Sequence, residues 1–456
     1  MKMLDTLLVN GTIVTPEETY KGTIGIREGK TVMICDSDLM IPAKEIIDLQ
    51  GLCILPGAID AHIHFQDPGF TEREDFEHGT ASAAAGGITV AFSHPLNLPP
   101  ATTPENYAFT QKVYEGKAYV DYCIHGGATA ENIDLIPDLW NNTGATAIKM
   151  FMCFSVAEFP FVTDESMYKV LEKLAQVDGL ALIHAENDGL LKVMESHMKN
   201  EGRKDALAYN LTHPAEAEIE AIQRALYLIE ITGAKAVFLH VSTAKGLELI
   251  HYAKERGVEV YAESAPHLFA FTQEDMEEKG PYLKFSPVMH DKENQEKMWE
   301  LIGKGYVDTI GSDHSPYTKE EKIPGEKDIW KAPNGIPGLE TSMAVFLNGV
   351  NEGKLTLNQV ARMTSFNPAK IYGINSQKGS IQVGTDADFT IVDMNLVRTY
   401  QEKDIKSKCK WSPYLGMTLK GWPVVTIVRG RVVYKNGEIV GHSGYGEYIP
   451  RKKLAE

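Results

Sequence analysis

Cysteine is scarce, positive charge is in deficit, and no long apolar run occurs. The five cysteines of the 456-residue chain (Cys35, Cys53, Cys123, Cys153 and Cys409) are odd in number and form no Cys-x-x-Cys pair. That excludes a disulfide framework and a zinc ribbon and makes a reducing cytoplasm the expected location. Lys and Arg total 45 against 62 Asp and Glu, a formal net charge of −17. A chain-wide basic footprint for nucleic acid is thereby absent, and the acidity reads as a solvated surface. No stretch reaches the roughly 18 apolar residues of a membrane span. Residues 1–10 turn polar too soon for a signal peptide. Apolar residues make up 43% and charged residues 23%, as in an ordinary globular protein with a large core.

Both ends of the chain read as short strands and turns. Leu7-Leu8-Val9-Asn10-Gly11-Thr12-Ile13-Val14 predicts a hairpin around an Asn-Gly turn, and Glu28-Gly29-Lys30 predicts a second turn. Near the C-terminus, Val432-Val433-Tyr434-Lys435-Asn436-Gly437 repeats the pattern. Neither end is large enough for a good sandwich alone. Residues 1–56 and 377–456 are therefore expected to pair into one discontinuous β-sandwich domain. Between them, strand-like runs at 57–64, 89–93, 118–125, 147–152, 180–184, 236–240, 258–263 and 307–311 alternate mostly with helix-like stretches. In residues 214–232, Ile219, Ile222, Leu226 and Ile229 form a helical stripe behind Pro214. Eight such strands over residues 57–376 predict an α/β fold, a (β/α)8 barrel.

Histidine carries the chemical information. In Asp60-Ala61-His62-Ile63-His64, residues i and i+2 of a strand point the same way, so His62 and His64 present two imidazoles to one point. Further strands end in His184, in His240 and in Ser312-Asp313-His314. A lone histidine closing a strand is usually a satisfied core residue. Four histidines and an aspartate at C-terminal strand ends converge on the mouth where barrel active sites form, and make a metal site the better reading. Lys149, inside Ala147-Ile148-Lys149-Met150-Phe151, is costly unless its charge is handled. It either reaches the strand end with its ammonium in water or is neutral by burial. A neutral amine adds CO2 to give a carbamate, an anion able to bridge two cations.

These motifs, with Leu55-Pro56-Gly57-Ala58-Ile59-Asp60 before them and Gly379-Ser380-Ile381-Gln382-Val383-Gly384-Thr385-Asp386-Ala387-Asp388 after, resemble the amidohydrolase superfamily in its binuclear cyclic amidohydrolase branch. That branch contains hydantoinases, dihydropyrimidinases, allantoinases and dihydroorotases. The resemblance covers essentially the whole chain. It implies that His62, His64 and Asp313 bind the more buried of two divalent metal ions, that His184 and His240 bind the second, and that carboxylated Lys149 bridges both. Zinc is the expected metal, with manganese, iron or cobalt as alternatives. By the same resemblance a hydroxide between the metals is the nucleophile and Asp313 is general base and then acid. It further implies a homotetramer and a small cyclic ureide as substrate.

The ring is narrowed by a few positions. Dihydroorotases resemble His-x-His-x-Arg, with the arginine pairing a substrate carboxylate; here Gln66 stands in that place and cannot supply the charge-assisted fork. Dihydropyrimidinases and D-hydantoinases resemble a pattern with Tyr five residues after the lysine. Phe154 here lacks that hydroxyl, leaving His314 or main-chain N–H groups as oxyanion donors. The apolar 150–162 segment, with Met152, Phe154, Phe159 and Phe161, is either core or a gating loop against an apolar substituent. Residues 67–72 and 94–102, including Asn97, are similar to allantoinases. Residues 330–335 and 338–341 are similar to L-selective hydantoinases, in which main-chain groups at Ser286 and Asn334 hold the ring imide. A 5-substituted hydantoin is favoured over allantoin, with dihydropyrimidine and dihydroorotate behind. A metal-free scaffold and a mononuclear deaminase are the rival readings. Filled ligand positions argue against the first, and a lysine the second would not need argues against the other.

Overall fold

The computed structural model describes residues 3–35 and 41–452. Eight parallel strands form the barrel: Ala58–Ile63, Ile88–Ser93, Asp121–Ile124 (continued by Gly126–Gly127), Ile148–Phe151, Leu180–His184, Lys235–Phe238, Val260–Ser264 and Thr309–Ile310. Each pairs with its successor in parallel. The circle closes where His64 N–H donates to the His314 carbonyl at 2.8 Å, beside the Ile63–His314 bridge. All eight sequence-predicted strands are present, shortened by a few residues at some ends. They are buried on both faces, which is why they read as apolar runs rather than as alternating patterns.

The helix Ala215–Thr232 illustrates the outer ring. It starts after Pro214 and stops at Gly233, whose φ of 70° a side chain would resist. Its buried stripe is Ala217, Ala221, Ala225, Ile222, Leu226 and Ile229; Ile219 is only half-buried. Small residues along that stripe let the helix pack closely between Asp164–Gln176 and Ala244–Glu255. Its buried Glu218 accepts hydrogen bonds from the N–H groups of Ser242 and Thr243, both at 2.9 Å, and from their hydroxyls. This pins the loop that follows His240.

The two chain ends meet at Cys53–Pro56, which pairs with Leu4–Val14 on one side and with Phe389–Thr399 on the other. Nine strands from both ends join one hydrogen-bonded sheet. Leu8, Ile13, Ile24, Ile54, Phe389, Ile391 and Ile427 share one core within it. Two expectations need correction here. Asn10-Gly11 is not a hairpin turn: Leu4–Val14 is one strand, and Asn10 (φ 56°) sits at a bulge in its pairing with Thr19–Arg27. Leu7 and Leu8 are both fully buried, so a two-sided strand outweighs the turn preference. The Glu28-Gly29 and Asn436-Gly437 turns do form, with positive φ at all four residues. Secondly, residues 443–452 leave the β domain and run along the barrel. Gly444 N–H donates to Ala118, Tyr122 N–H to Glu447, Ile449 N–H to Tyr122, and Arg451 Nε to the Ala145 carbonyl. This contact lies at the N-terminal end of the third strand, away from the mouth.

Barrel and β domain are also joined by a buried cation. Lys378 Nζ contacts Asp121, which opens the third barrel strand, as well as Asp386 at 2.9 Å and Asp388 at 2.7 Å. Lys378→Met leaves Asp388 without a side-chain cation among the described residues, while Asp121 keeps Arg429 and Asp386 keeps Lys30, and is expected to cost about 3–5 kcal/mol. Denaturant unfolding measures this, and a loss below about 1 kcal/mol would contradict the role.

Candidate metal centre

Strand alternation delivers His62 and His64 to the barrel mouth, and Asp313 meets them there. Asp313 Oδ1 is 3.1 Å from His62 Nε2 and 3.0 Å from His64 Nε2. Its Oδ2 is 4.0 Å from His240 Nε2. His184 Nδ1 is 3.0 Å from His240 Nε2, and Lys149 lines the same cavity. The backbone turns left-handed at His240 (φ 35°) and at Asp313 (φ 48°), just past their strands. Such conformations cost a non-glycine residue about 1–3 kcal/mol and gather where a side chain must be aimed. Gly311 beside them has no room for a Cβ, which would meet His62 Cβ at 2.5 Å and Glu263 Cδ at 2.8 Å.

The imidazoles are aimed by carboxylates that sequence reasoning missed. Glu263 Oε1 is 2.6 Å from His62 Nδ1. Glu186 Oε2 is 2.7 Å from His184 Nε2, and its Oε1 is 2.7 Å from His213 Nδ1. Asp60 accepts from the N–H groups of His62 and Ser312. The signal was present: Glu263 ends a predicted barrel strand, and Glu186 follows His184 by two residues.

These side chains fit metal ions. His62 Nε2, the nitrogen that faces the cluster, is buried and has no hydrogen-bond partner among the described residues, an unfavourable state that coordination relieves. The 3.0–3.1 Å spacings approach the roughly 3.3 Å between ligands held at about 2.0–2.1 Å around a tetrahedral ion. Carboxylates on the far imidazole nitrogens are the usual support of metal-binding histidines. Burial, reinforced by Lys149 and neighbouring histidines, holds His62 well below the ordinary imidazole range; burial does the same to His240. The neutral ring is the form that ligates. Burial also lowers Lys149 to about 8. Among the described residues no carboxylate pairs with its amine, which lies 4.3 Å from the Phe151 ring centroid. Burial opposes ionisation of Asp313, but the His64 hydrogen bond and His240 hold its carboxyl below the usual range.

Ser286 and Asn334 line this cavity with the histidines. Ser286 Oγ donates to Glu186 at 2.8 Å, and Asn334 Oδ1 is buried without a partner. Gln66 and Phe154 line an adjoining hollow of about 280 Å³, together with Phe70, Arg73, Leu96, Val156, Tyr317 and Pro333. Phe154 is 60% exposed at its rim, whereas Met152 and Phe159 are core; the 150–162 segment is thus part core and part rim.

Asn97 lies elsewhere. It does not line either space; its amide donates to the Asp67 carbonyl and to the Tyr114 hydroxyl at 2.9 Å, bracing a loop. His314 is likewise turned away. Its Nε2 faces Glu74 at 3.2 Å and its Nδ1 accepts from Gly338 N–H at 3.1 Å, so it has no nitrogen left for an oxyanion. Of the histidines the sequence left unplaced, His94 stacks on His62 at 3.8 Å. His125 spends both nitrogens on Ala61 and Thr146, His267 packs on Phe285, and His78 pairs with Asp75 on the surface.

Comparison with known proteins identifies the family. The family model described as "Amidohydrolase family" matches residues 53–433. The chain is 36% identical over 453 residues to an L-hydantoinase of Paenarthrobacter aurescens, covering 99% of each chain. It is 34% identical to an allantoinase of Deinococcus radiodurans, covering 96% of this chain and 97% of the other. The solved structure of an L-hydantoinase (dihydropyrimidinase) from Arthrobacter aurescens superposes with a TM-score of 0.96 at 36% identity, covering 98% of this chain and 100% of that one. Built on a (β/α)8 barrel with a β-sandwich domain, the chain belongs to the amidohydrolase family.

Proposed function

We propose that the chain opens a cyclic ureide by hydrolysis, and that the ring is a 5-substituted hydantoin. The observation that carries this reading is a buried lysine amine, with no carboxylate in salt-bridge contact among the described residues, facing four histidines and an aspartate at one barrel mouth. His62, His64 and Asp313 would hold the more buried of two divalent ions, His184 and His240 the second, and Lys149, carboxylated at Nζ, would bridge them. Bound there, the ions would bring the pKa of water down toward about 7 and polarise the ring carbonyl.

The remaining work falls to the chain. Asp313, held ionised beside His64, takes the proton of the attacking water as its oxygen bonds to the ring carbonyl carbon. It then delivers that proton to the ring nitrogen as the C–N bond breaks. Main-chain groups at Ser286 and Asn334 orient the imide, with Ser286 fixed by Glu186. Since Phe154 has no hydroxyl and His314 is committed, a donor to the developing oxyanion must come from elsewhere. Tyr317, Ser155 and Ser315 are the cavity-lining hydroxyls not committed to Glu186.

The adjoining hollow supports the choice of substituent. Its Phe70, Leu96, Phe154, Val156, Tyr317 and Pro333 suit an apolar group, and Gln66 offers no charge to a ring carboxylate. Arg73 in that hollow is already engaged by Glu321 at 2.7 Å and sandwiched between Phe70 and Tyr317. Allantoin is the second reading, favoured by the polar Gln66 and Glu158 at the same rim and by the allantoinases among the relatives.

A panel of allantoin, both enantiomers of 5-benzylhydantoin, dihydrouracil and dihydroorotate tests the reading. One benzylhydantoin enantiomer is expected to be hydrolysed fastest. Hydrolysis of allantoin alone would overturn the choice, and a metal-poor protein inactive on all five would overturn the enzyme reading. Glu263→Gln is expected to weaken metal binding about 10–100-fold, read by chelator competition. Unchanged affinity would remove Glu263 from the support of His62.

A further inference from the structure

Two lysines lie buried behind the wall formed by Ser286 and Asn334, and neither pairs with a carboxylate among the described residues. Lys284 is 5% exposed and Lys322 is fully buried. Lys284 Nζ donates to the carbonyls of Ile329 at 2.9 Å and Ala332 at 2.6 Å. Lys322 Nζ donates to the Pro333 carbonyl at 2.8 Å and reaches the Lys284 carbonyl at 3.5 Å. That same Lys284 carbonyl accepts from Gly335 N–H at 3.1 Å. Aromatic rings fill the remaining space: Tyr209 lies 4.5 Å from Lys284 Nζ, and Trp411 and Tyr317 lie 5.6 and 5.8 Å from Lys322 Nζ.

An ammonium in such a place is expensive, so a structural purpose served equally by an apolar side chain is a poor account. What the amines do is specific. The 329–335 segment turns three carbonyls inward, at Ile329, Ala332 and Pro333. Buried carbonyls need donors, and a lysine carries several on one flexible stem. The amines therefore tie this segment to the 284–286 segment from behind. Asn334 and Gly335 on one side, and Phe285 and Ser286 on the other, line the cavity in front. Gly335 is itself held tightly: its φ is 142°, and a Cβ there would meet the Ser315 carbonyl oxygen at 2.4 Å.

We propose that Lys284 and Lys322 are positioning residues for the substrate: they fix the spacing between the two halves of the imide-binding wall, and through it set substrate affinity. This rests on the assignment of that wall to the ring imide made above. They touch neither the metal ligands nor the reacting atoms, so binding should suffer more than turnover.

The test uses metal-loaded protein carrying Lys284→Met or Lys322→Met, with Lys322→Gln as a milder variant that keeps a donor on a shorter stem. KM for the accepted ureide is expected to rise about tenfold or more in the methionine variants while kcat falls less than about threefold, with metal content unchanged. Lys322→Gln is expected to shift KM in the same direction by less. Hydrogen exchange of residues 329–335 should quicken by about tenfold or more, with the barrel strands unaffected. A lowered melting temperature with unchanged KM and unchanged loop exchange in every variant that folds would reduce the lysines to stability alone and overturn the proposal. If the parent protein opens no cyclic ureide, the functional reading has failed, while loop exchange still reports whether the amines hold the wall.

Discussion

The arrangement at the barrel mouth depends on a buried lysine whose charge is costly where it sits. Lys149 sits on the fourth strand, 1% exposed, among imidazoles and with no paired carboxylate among the described residues. Burial weakens its ammonium, and the same burial keeps the facing histidines neutral. An amine that loses its proton easily is a nucleophile toward CO2, and the proposed carbamate would reverse its charge. With that carbamate the cluster would attract the two cations of the proposed centre. The dependence runs both ways, because neutral imidazoles crowded around a free ammonium gain nothing until cations separate them.

Around that cluster the fold supplies rigidity in layers. Carboxylates of Glu263 and Glu186 hold the far sides of His62 and His184, and Asp60 ties the first strand to the loop after the eighth. Glu218 on an outer helix clamps the loop after His240. Each is a buried acid that accepts from a group of the barrel, so each fixes an angle of approach rather than adding bulk to the core. Behind the substrate wall the chemistry is inverted, with lysine donors meeting backbone carbonyls. In the proposed site, acids would orient the metal side and amines the substrate side.

Much of this was legible in the sequence. Parallel strands buried on both faces announce themselves as apolar runs, and a histidine or aspartate closing such a run is conspicuous, so the barrel and the convergence of His62, His64, Lys149, His184, His240 and Asp313 could be read directly. The supporting acids were harder, because a lone glutamate two residues after His184 resembles any solvated charge until the barrel folds it inward. Asn97 braces a loop outside the cavity although its segment resembles that of a relative, and His314 points away from the cluster because adjacency to Asp313 does not give a side chain the same direction. Asn10-Gly11 failed for a different reason: local turn preference lost to burial of both faces of a long strand. The closing segment, residues 443–452, carried no periodic signal for its return to the barrel, since its contacts are mostly backbone hydrogen bonds.

The most direct measurement is metal content and ring-opening activity of Lys149→Ala, with and without added short carboxylic acids. The account predicts loss of bound metal and of activity, with partial recovery of both when a small carboxylate takes the place of the carbamate. Full metal content and full activity in that variant would contradict it.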